Sequence, residues 1–60
     1  MKTFYRVSDC LTDTDFNTYN EAETHFNHAA NNHYNGYLEM KLVTEDARGM
    51  YAKSLKIIHN

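Results

Sequence analysis

A single cysteine, Cys10, stands in a chain of sixty residues, and those two facts constrain the fold more than any motif does. A domain this small buries only about 60% of the surface its unfolded chain exposes, so its margin of stability is thin. Small domains commonly make up the difference with disulfides, a metal ion or a partner. One thiol excludes an intramolecular disulfide. The chain must therefore pack well alone, hold a metal, or associate.

Charge and hydropathy narrow the function classes. Six Lys and Arg against eight Asp and Glu give a formal net charge of −2. The basic residues Lys2, Arg6, Lys41, Arg48, Lys53 and Lys56 are scattered, whereas nucleic-acid binders cluster theirs on one face. Generic nucleic-acid binding is disfavoured, and the carboxylates are too few for an acidic DNA mimic. No apolar run approaches the roughly 20 residues of a membrane span. The N-terminus lacks the apolar segment of a signal peptide, and a single thiol suits a reducing compartment. A cytoplasmic protein without a membrane partner is expected.

Residues 2–9 (KTFYRVSD) are rich in β-branched and aromatic types and predict a strand, with Tyr5 and Val7 on one face and Phe4 on the other. Residues 10–17 (CLTDTDFN) are dense in Thr, Asp and Asn, whose side chains bond nearby backbone, and predict a loop. Thr18-Tyr19-Asn20-Glu21 matches a capping box, in which Thr18 accepts from the Glu21 amide and Glu21 reaches back to the Thr18 amide. Tyr19, Ala22, Phe26, Ala29, Ala30 and His33 then fall in one sector at about 100° per residue. An amphipathic helix ending near residues 31–32, before Gly36, follows.

Residues 37–44 (YLEMKLVT) alternate, with Leu38, Met40 and Leu42 against Glu39 and Lys41, and predict a half-buried strand. Residues 45–49 (EDARG) suit a turn with Gly49 at positive φ. Residues 50–58 read as a return strand placing Tyr51, Leu55 and Ile57 on one face. A helix is the rival reading, since Ala47, Met50, Tyr51, Leu55 and Ile58 also fit helical spacing with Thr44 as cap. Gly49 inside that helix would cost about 1 kcal/mol relative to Ala. The expected fold class is α+β: one β-α-β-β domain over residues 1–60, with one helix on a three-stranded, mainly antiparallel sheet. The alternative is β-α-β-α.

If the helix covers Leu38, Met40, Leu42, Leu55 and Ile57, the other sheet face holds Tyr37, Val43, Met50, Ala52 and Ile58. Glu39, Lys41 and Lys56 interleave with them, and Phe4 or Tyr5 joins according to register. That second face is more apolar than a solvated sheet face requires, which points to association through it or through an edge strand. Scattered apolar surface is also ordinary in soluble proteins, and the size of the chain tips the balance towards association. The candidate protein-interaction residues are Phe4, Tyr37, Met50, Tyr51 and Ile58, and the partner is a protein or a second copy. The alternative is a nucleic-acid-associated regulator acting through Arg6, Lys41, Lys53 and Lys56 on the exposed sheet face.

Other chemistry is poorly supported. His25 and His28 could share an ion from adjacent helical turns, but a structural zinc needs four ligands and no second cysteine exists. Cys10 is followed by Asp13 and Asp15 and has no histidine adjacent in sequence to activate it, so a nucleophile is not indicated. Asp9, Asp13 and Asp15 loosely resemble a calcium loop without its glycine and closing Glu. Tyr34 and Tyr37 flank Asn35-Gly36, beside Tyr19 if the chain folds back there, and read equally as amphipathic binding surface or as core edges whose hydroxyls reach water. Neither catalysis, a cofactor nor a metal is expected.

The segments FYRVSD, TYNEAETHF, YNGYLEMKLV and GMYAKSLKII together resemble small accessory proteins encoded in the early regions of lambdoid bacteriophages and prophages. They span most of the chain, and none is a catalytic or binding signature. The resemblance implies a non-enzymatic early factor acting on host or phage physiology through a protein partner. It transfers no site residue.

Overall fold

The computed structural model describes residues 1–32 and 36–59. Five elements follow in order: β1 (Lys2–Asp9), β2 (Asp13–Phe16), α1 (Tyr19–Asn31), β3 (Tyr37–Asp46) and β4 (Gly49–His59). One four-stranded antiparallel sheet has the order β2-β1-β3-β4. The α+β class and the single helix match the sequence reading, while the strand count and element order need correction. The expected loop over residues 10–17 contains β2, so the order is β-β-α-β-β. The C-terminal segment is a strand, and the helical alternative is not adopted.

The extra strand has a local cause. The Asp9 carboxylate accepts from the amides of Leu11 and Thr12, at 2.7 and 2.6 Å, and closes a turn after β1. The Asp9 amide donates to the Thr12 carbonyl at 3.0 Å. Turn-forming side chains thus occupy only the tip, and Asp13–Phe16 is returned alongside β1 with Tyr5 opposite Phe16 and Val7 opposite Thr14. Both β2 and β3 run antiparallel to β1, so α1 links two strands of the same direction with β1 between them.

The helix starts where the capping box places it. Thr18 Oγ1 accepts from the Glu21 amide at 3.2 Å. Glu21 returns the bond differently from the expected pattern: its carboxylate accepts from the Thr18 hydroxyl at 3.0 Å. Such a cap is worth about 1 kcal/mol. Asn32 ends the helix, its amide donating to the Ala29 carbonyl. Ala22 and Phe26 are buried and Ala29 and Ala30 partly so, as the 3.6-residue period requires. His33 and Tyr34 lie outside the described residues.

One core forms between α1 and one sheet face. Val7, Ala22, Phe26, Leu38 and Met40 make its buried centre, flanked by Tyr5, Phe16, Ala29, Ala30 and Ile58. Packing across this layer carries most of the helical stability, because an isolated helix of this length is marginal in water. The hairpin β3–β4 turns through Ala47 and Arg48, with Asp46 paired to Gly49. Asp46 accepts from the Arg48 amide at 2.8 Å. Gly49 takes φ +139°, a conformation that side-chain-bearing residues rarely adopt.

The β3–β4 register contains the second departure from expectation. Lys41 pairs with Ser54 and Met40 with Lys56, leaving Leu55 as an extra residue in a β-bulge. Strand side chains alternate with a period of 2, so one extra residue flips every later one to the opposite face. Tyr51, opposite Thr44, stays on the face that carries Leu42 and Met40. Beyond the bulge Ile58 and Lys56 lie on the helix side, opposite Leu38 and Met40. Ile57 lies on the far side, opposite Glu39. The expected placements of Ile57, Ile58 and Lys56 are therefore exchanged.

Candidate functional site

The far side of the sheet is not a bare apolar face. Phe4 and Val43 are cross-strand partners and are buried there. The Lys2 ammonium lies 5.6 Å and the Arg6 guanidinium 5.2 Å from the Phe4 ring centre. The next row is ionic: Arg6 holds Asp15 through two contacts, Nε–Oδ1 at 2.7 Å and Nη2–Oδ2 at 3.2 Å. This fork holds the Asp15 carboxyl below its ordinary range. Glu39 accepts from the Tyr37 hydroxyl, and Lys41 Nζ stands 4.0 Å away from it. The Tyr37 bond is the main reason the Glu39 pKa is lowered, with a Ser54 bond adding to it. Tyr37 meets His59 edge to face at 5.3 Å. Ser8 is buried in this layer, and among the described residues its hydroxyl has no hydrogen-bond partner.

The exposed apolar surface lies instead along β4. This strand is the outermost of the sheet and eleven residues long. Met50 is 53% exposed, Tyr51 54%, Ile57 50% and Leu55 37%. Four large apolar side chains on one edge strand are more than isolated surface residues, and an uncovered edge strand presents unpaired amides and carbonyls. The opposite edge, β2, is short and carries Asp13 and Asp15, the common way of blunting an edge. The two edges are chemically unequal.

Of the five candidate interaction residues, Met50 and Tyr51 are on this surface. Phe4 is buried beneath its two cations, Tyr37 is half-buried against Glu39, and Ile58 packs on the helix-side core. Leu55 and Ile57 join the surface, although periodicity places them under the helix. Only the bulge separates the two outcomes. A register shift between Met40 and Lys41 leaves no mark in composition, though the odd spacing of Tyr51 and Ile58 across Leu55 is compatible with it.

The four candidate nucleic-acid cations do not form one cluster. Arg6 and Lys41 are cross-strand partners on the far side, beside Asp15 and Glu39. Lys56 is on the helix side, bonded to Glu23 at 2.9 Å and 5.7 Å from the Phe26 ring centre. That bond raises the Lys56 pKa and lowers that of Glu23, which also accepts from the Tyr19 hydroxyl at 3.1 Å. Lys53 is exposed on β4, opposite Leu42.

The remaining sites do not assemble. Phe16, Glu21, Thr24, His25 and His28 line a shallow depression beside α1. His25 rests 5.2 Å from the Phe16 ring, and His28 Nε2 is 3.0 Å from the Asn32 amide nitrogen. Among the described residues no group of three His, Cys, Asp or Glu could hold a metal ion. Asp9 caps its turn and Asp15 pairs with Arg6, so the loop carboxylates do not converge. Cys10 is exposed at the start of that turn. No helix among the described residues is long and apolar enough to cross a membrane.

These features define a small α+β domain with one helix-covered sheet face, one ion-paired face and one long apolar edge. No family model, no curated protein and no solved structure matches the chain.

Proposed function

We propose that the chain is a small non-catalytic protein-interaction module that works through its β4 edge, on a protein partner or a second copy. The observation that carries this reading is the exposure of Met50 and Ile57 on the far sheet face, of Tyr51 on the helix-side face and of Leu55 at the bulge, all along the outermost strand β4. Strand addition at such an edge takes affinity from main-chain bonds and specificity from alternate side chains. The setting that fits best is the bacterial cytoplasm, as an early accessory factor of a phage or prophage. The segments FYRVSD and GMYAKSLKII support that setting, and an exposed lone thiol suits a reducing compartment. The nucleic-acid alternative is weaker, because Arg6 and Lys56 are each spent on a carboxylate within 3 Å.

Two measurements on the same variants test the reading. Wild-type chain and the double variant Met50→Lys/Ile57→Lys are compared for solution mass and for proteins retained from a bacterial lysate. Both changes fall on half-exposed side chains, so the fold is expected to survive, which circular dichroism checks. The reading expects the variant to lose either self-association or a captured partner. A wild type that neither associates nor retains anything the variant lacks refutes it, as does a band shift of DNA or RNA at low salt that disappears steeply with added salt.

A further inference from the structure

Resting on the edge-strand reading above, we infer that the occupant of β4 is the β4 strand of a second copy. The two strands pair antiparallel across a two-fold axis at Ala52 and join two sheets into one of eight strands.

Edge pairing is favoured over stacking of far faces by what those faces carry. Stacking would take the Arg6–Asp15 and Lys41–Glu39 pairs out of water, and desolvating ion pairs commonly exceeds their mutual attraction. Pairing along β4 leaves both in place. It satisfies the outward backbone groups of the edge and covers apolar side chains that are otherwise half in water.

The register follows from three restrictions. A two-fold axis perpendicular to a continuous sheet keeps each copy's faces in common, so it must pass through a residue that sits opposite itself. The bulge at Leu55 ends the regular segment, which confines the ladder to residues 49–55. Charge then chooses among the remaining centres. An axis at Lys53 sets lysine against lysine, which is destabilising for directly opposed residues. An axis at Ala52 sets Lys53 opposite Tyr51 of the second copy, twice, and Met50 opposite Ser54. Ammonium against a tyrosine face is a favourable pair, and alanine is the smallest side chain on the strand to place at the axis. An axis at Tyr51 shortens the ladder and leaves Lys53 facing Gly49.

The size of the contact sets its strength. Half of a Met or Tyr side chain exposes roughly 100 Å². Met50, Tyr51 and part of Leu55 from two copies, with Lys53 stems and backbone, bury about 1,000 Å² in all. That is the lower end of specific interfaces. A dimer dissociating in the range of tens of micromolar or weaker is expected, dilute chain being monomeric.

The test reads register and charge as well as mass. Sedimentation equilibrium from about 10 μM to about 1 mM is expected to show monomer passing to dimer and no further. In a Cys10→Ser background, Ala52→Cys is expected to form a covalent dimer on mild oxidation. Opposed Cα atoms about 4.5–5.5 Å apart suit a disulfide. Met50→Cys in the same background is expected to resist cross-linking, because its copies stand roughly 13 Å apart. Tyr51→Lys should weaken the dimer about ten-fold or more, and adding Lys53→Glu should restore it. Wild type that stays monomeric at about 1 mM overturns the inference. If that monomer still retains a lysate protein through Met50 and Ile57, the interaction-module reading survives without it. Preferential cross-linking of Met50→Cys, or masses growing beyond the dimer by β4 pairing with the acidic β2 edge, also overturns it.

Discussion

Phe26 is the side chain on which the single core turns, and truncating it should come close to unfolding the domain. Its ring is 4% exposed, reaches Val7, Leu38 and Met40 across the helix–sheet layer, and carries the Lys56 ammonium 5.7 Å from its centre. Replacement of a buried Phe by Ala costs about 3–5 kcal/mol through lost burial and the cavity left behind. A sixty-residue domain has only roughly 3–9 kcal/mol to lose at 0.05–0.15 kcal/mol per residue. Phe26→Ala is therefore expected to be largely unfolded at 25 °C, while Phe26→Leu keeps most of the volume and should cost about 1–2 kcal/mol. Urea denaturation followed by circular dichroism at several chain concentrations measures both and separates folding from association. A loss below about 1 kcal/mol for Phe26→Ala would refute a single core centred on this ring.

Three further outcomes follow from local features. Ser8→Ala should leave stability unchanged or raise it by up to about 1 kcal/mol in the same urea assay, because it removes a buried hydroxyl that finds no partner among the described residues. A clear loss would mean that hydroxyl is bonded. Deleting Leu55 should be tolerated, since Ser54 and Lys56 already pair with the adjacent residues Lys41 and Met40, whereas deleting Ile57 should unfold the hairpin by turning Ile58 out of the core. Thermal melts of the two deletions distinguish these, and equal damage would argue against the bulge. Asp9, Asp15, Glu23 and Glu39 all have lowered pKa values, so their contribution is complete at neutral pH and fades as the pH falls through those lowered values. Melting temperature should fall modestly from the ordinary carboxylate range downwards, since Asp15 is exposed and Asp9, Glu23 and Glu39 are only partly covered, so that water screens the pairs, and a flat profile to about pH 3 would refute the pairs.

What the sequence could and could not reveal divides along the range of the interaction. The helix start was legible because Thr18 and Glu21 meet within one turn, and the helix face because Ala22 and Phe26 repeat at its period. The turn at Gly49 was legible for the same local reason. β2 was not: its four residues DTDF have loop composition, and they become a strand only because the Asp9 turn brings them beside β1. Leu55 was misplaced because a bulge is decided by how β3 and β4 pair, not by the alternation of β4 alone. The interaction residues inherited that error. Phe4 and Ile58 are apolar in the right proportion, but burial depends on which cations and which helix lie over them. Met50 and Tyr51 precede the bulge and stand exposed; Ile57 follows it and lies on the face opposite to the one that strict alternation gives it.

The inequality of the two edges connects size to association. β2 is kept from templating another strand by its four-residue length and its carboxylates, a device that costs little because its apolar member, Phe16, turns inward against His25 and the core. β4 has the opposite character: it is the longest strand, it bears no carboxylate, and four of its large apolar side chains stand exposed. Its lysines and its bulge are also protective devices, yet they act selectively. Lys53 penalises a register that sets it against itself, and the bulge at Leu55 stops pairing from running the length of the strand. Together they leave the stretch 49–55 open to one arrangement and closed to its neighbours, which is how an edge can support a discrete pair without seeding a growing sheet. On the edge-pairing proposal, a chain with one cysteine and one small core would gain its staple from outside, at the strand where its own fold runs out of cover.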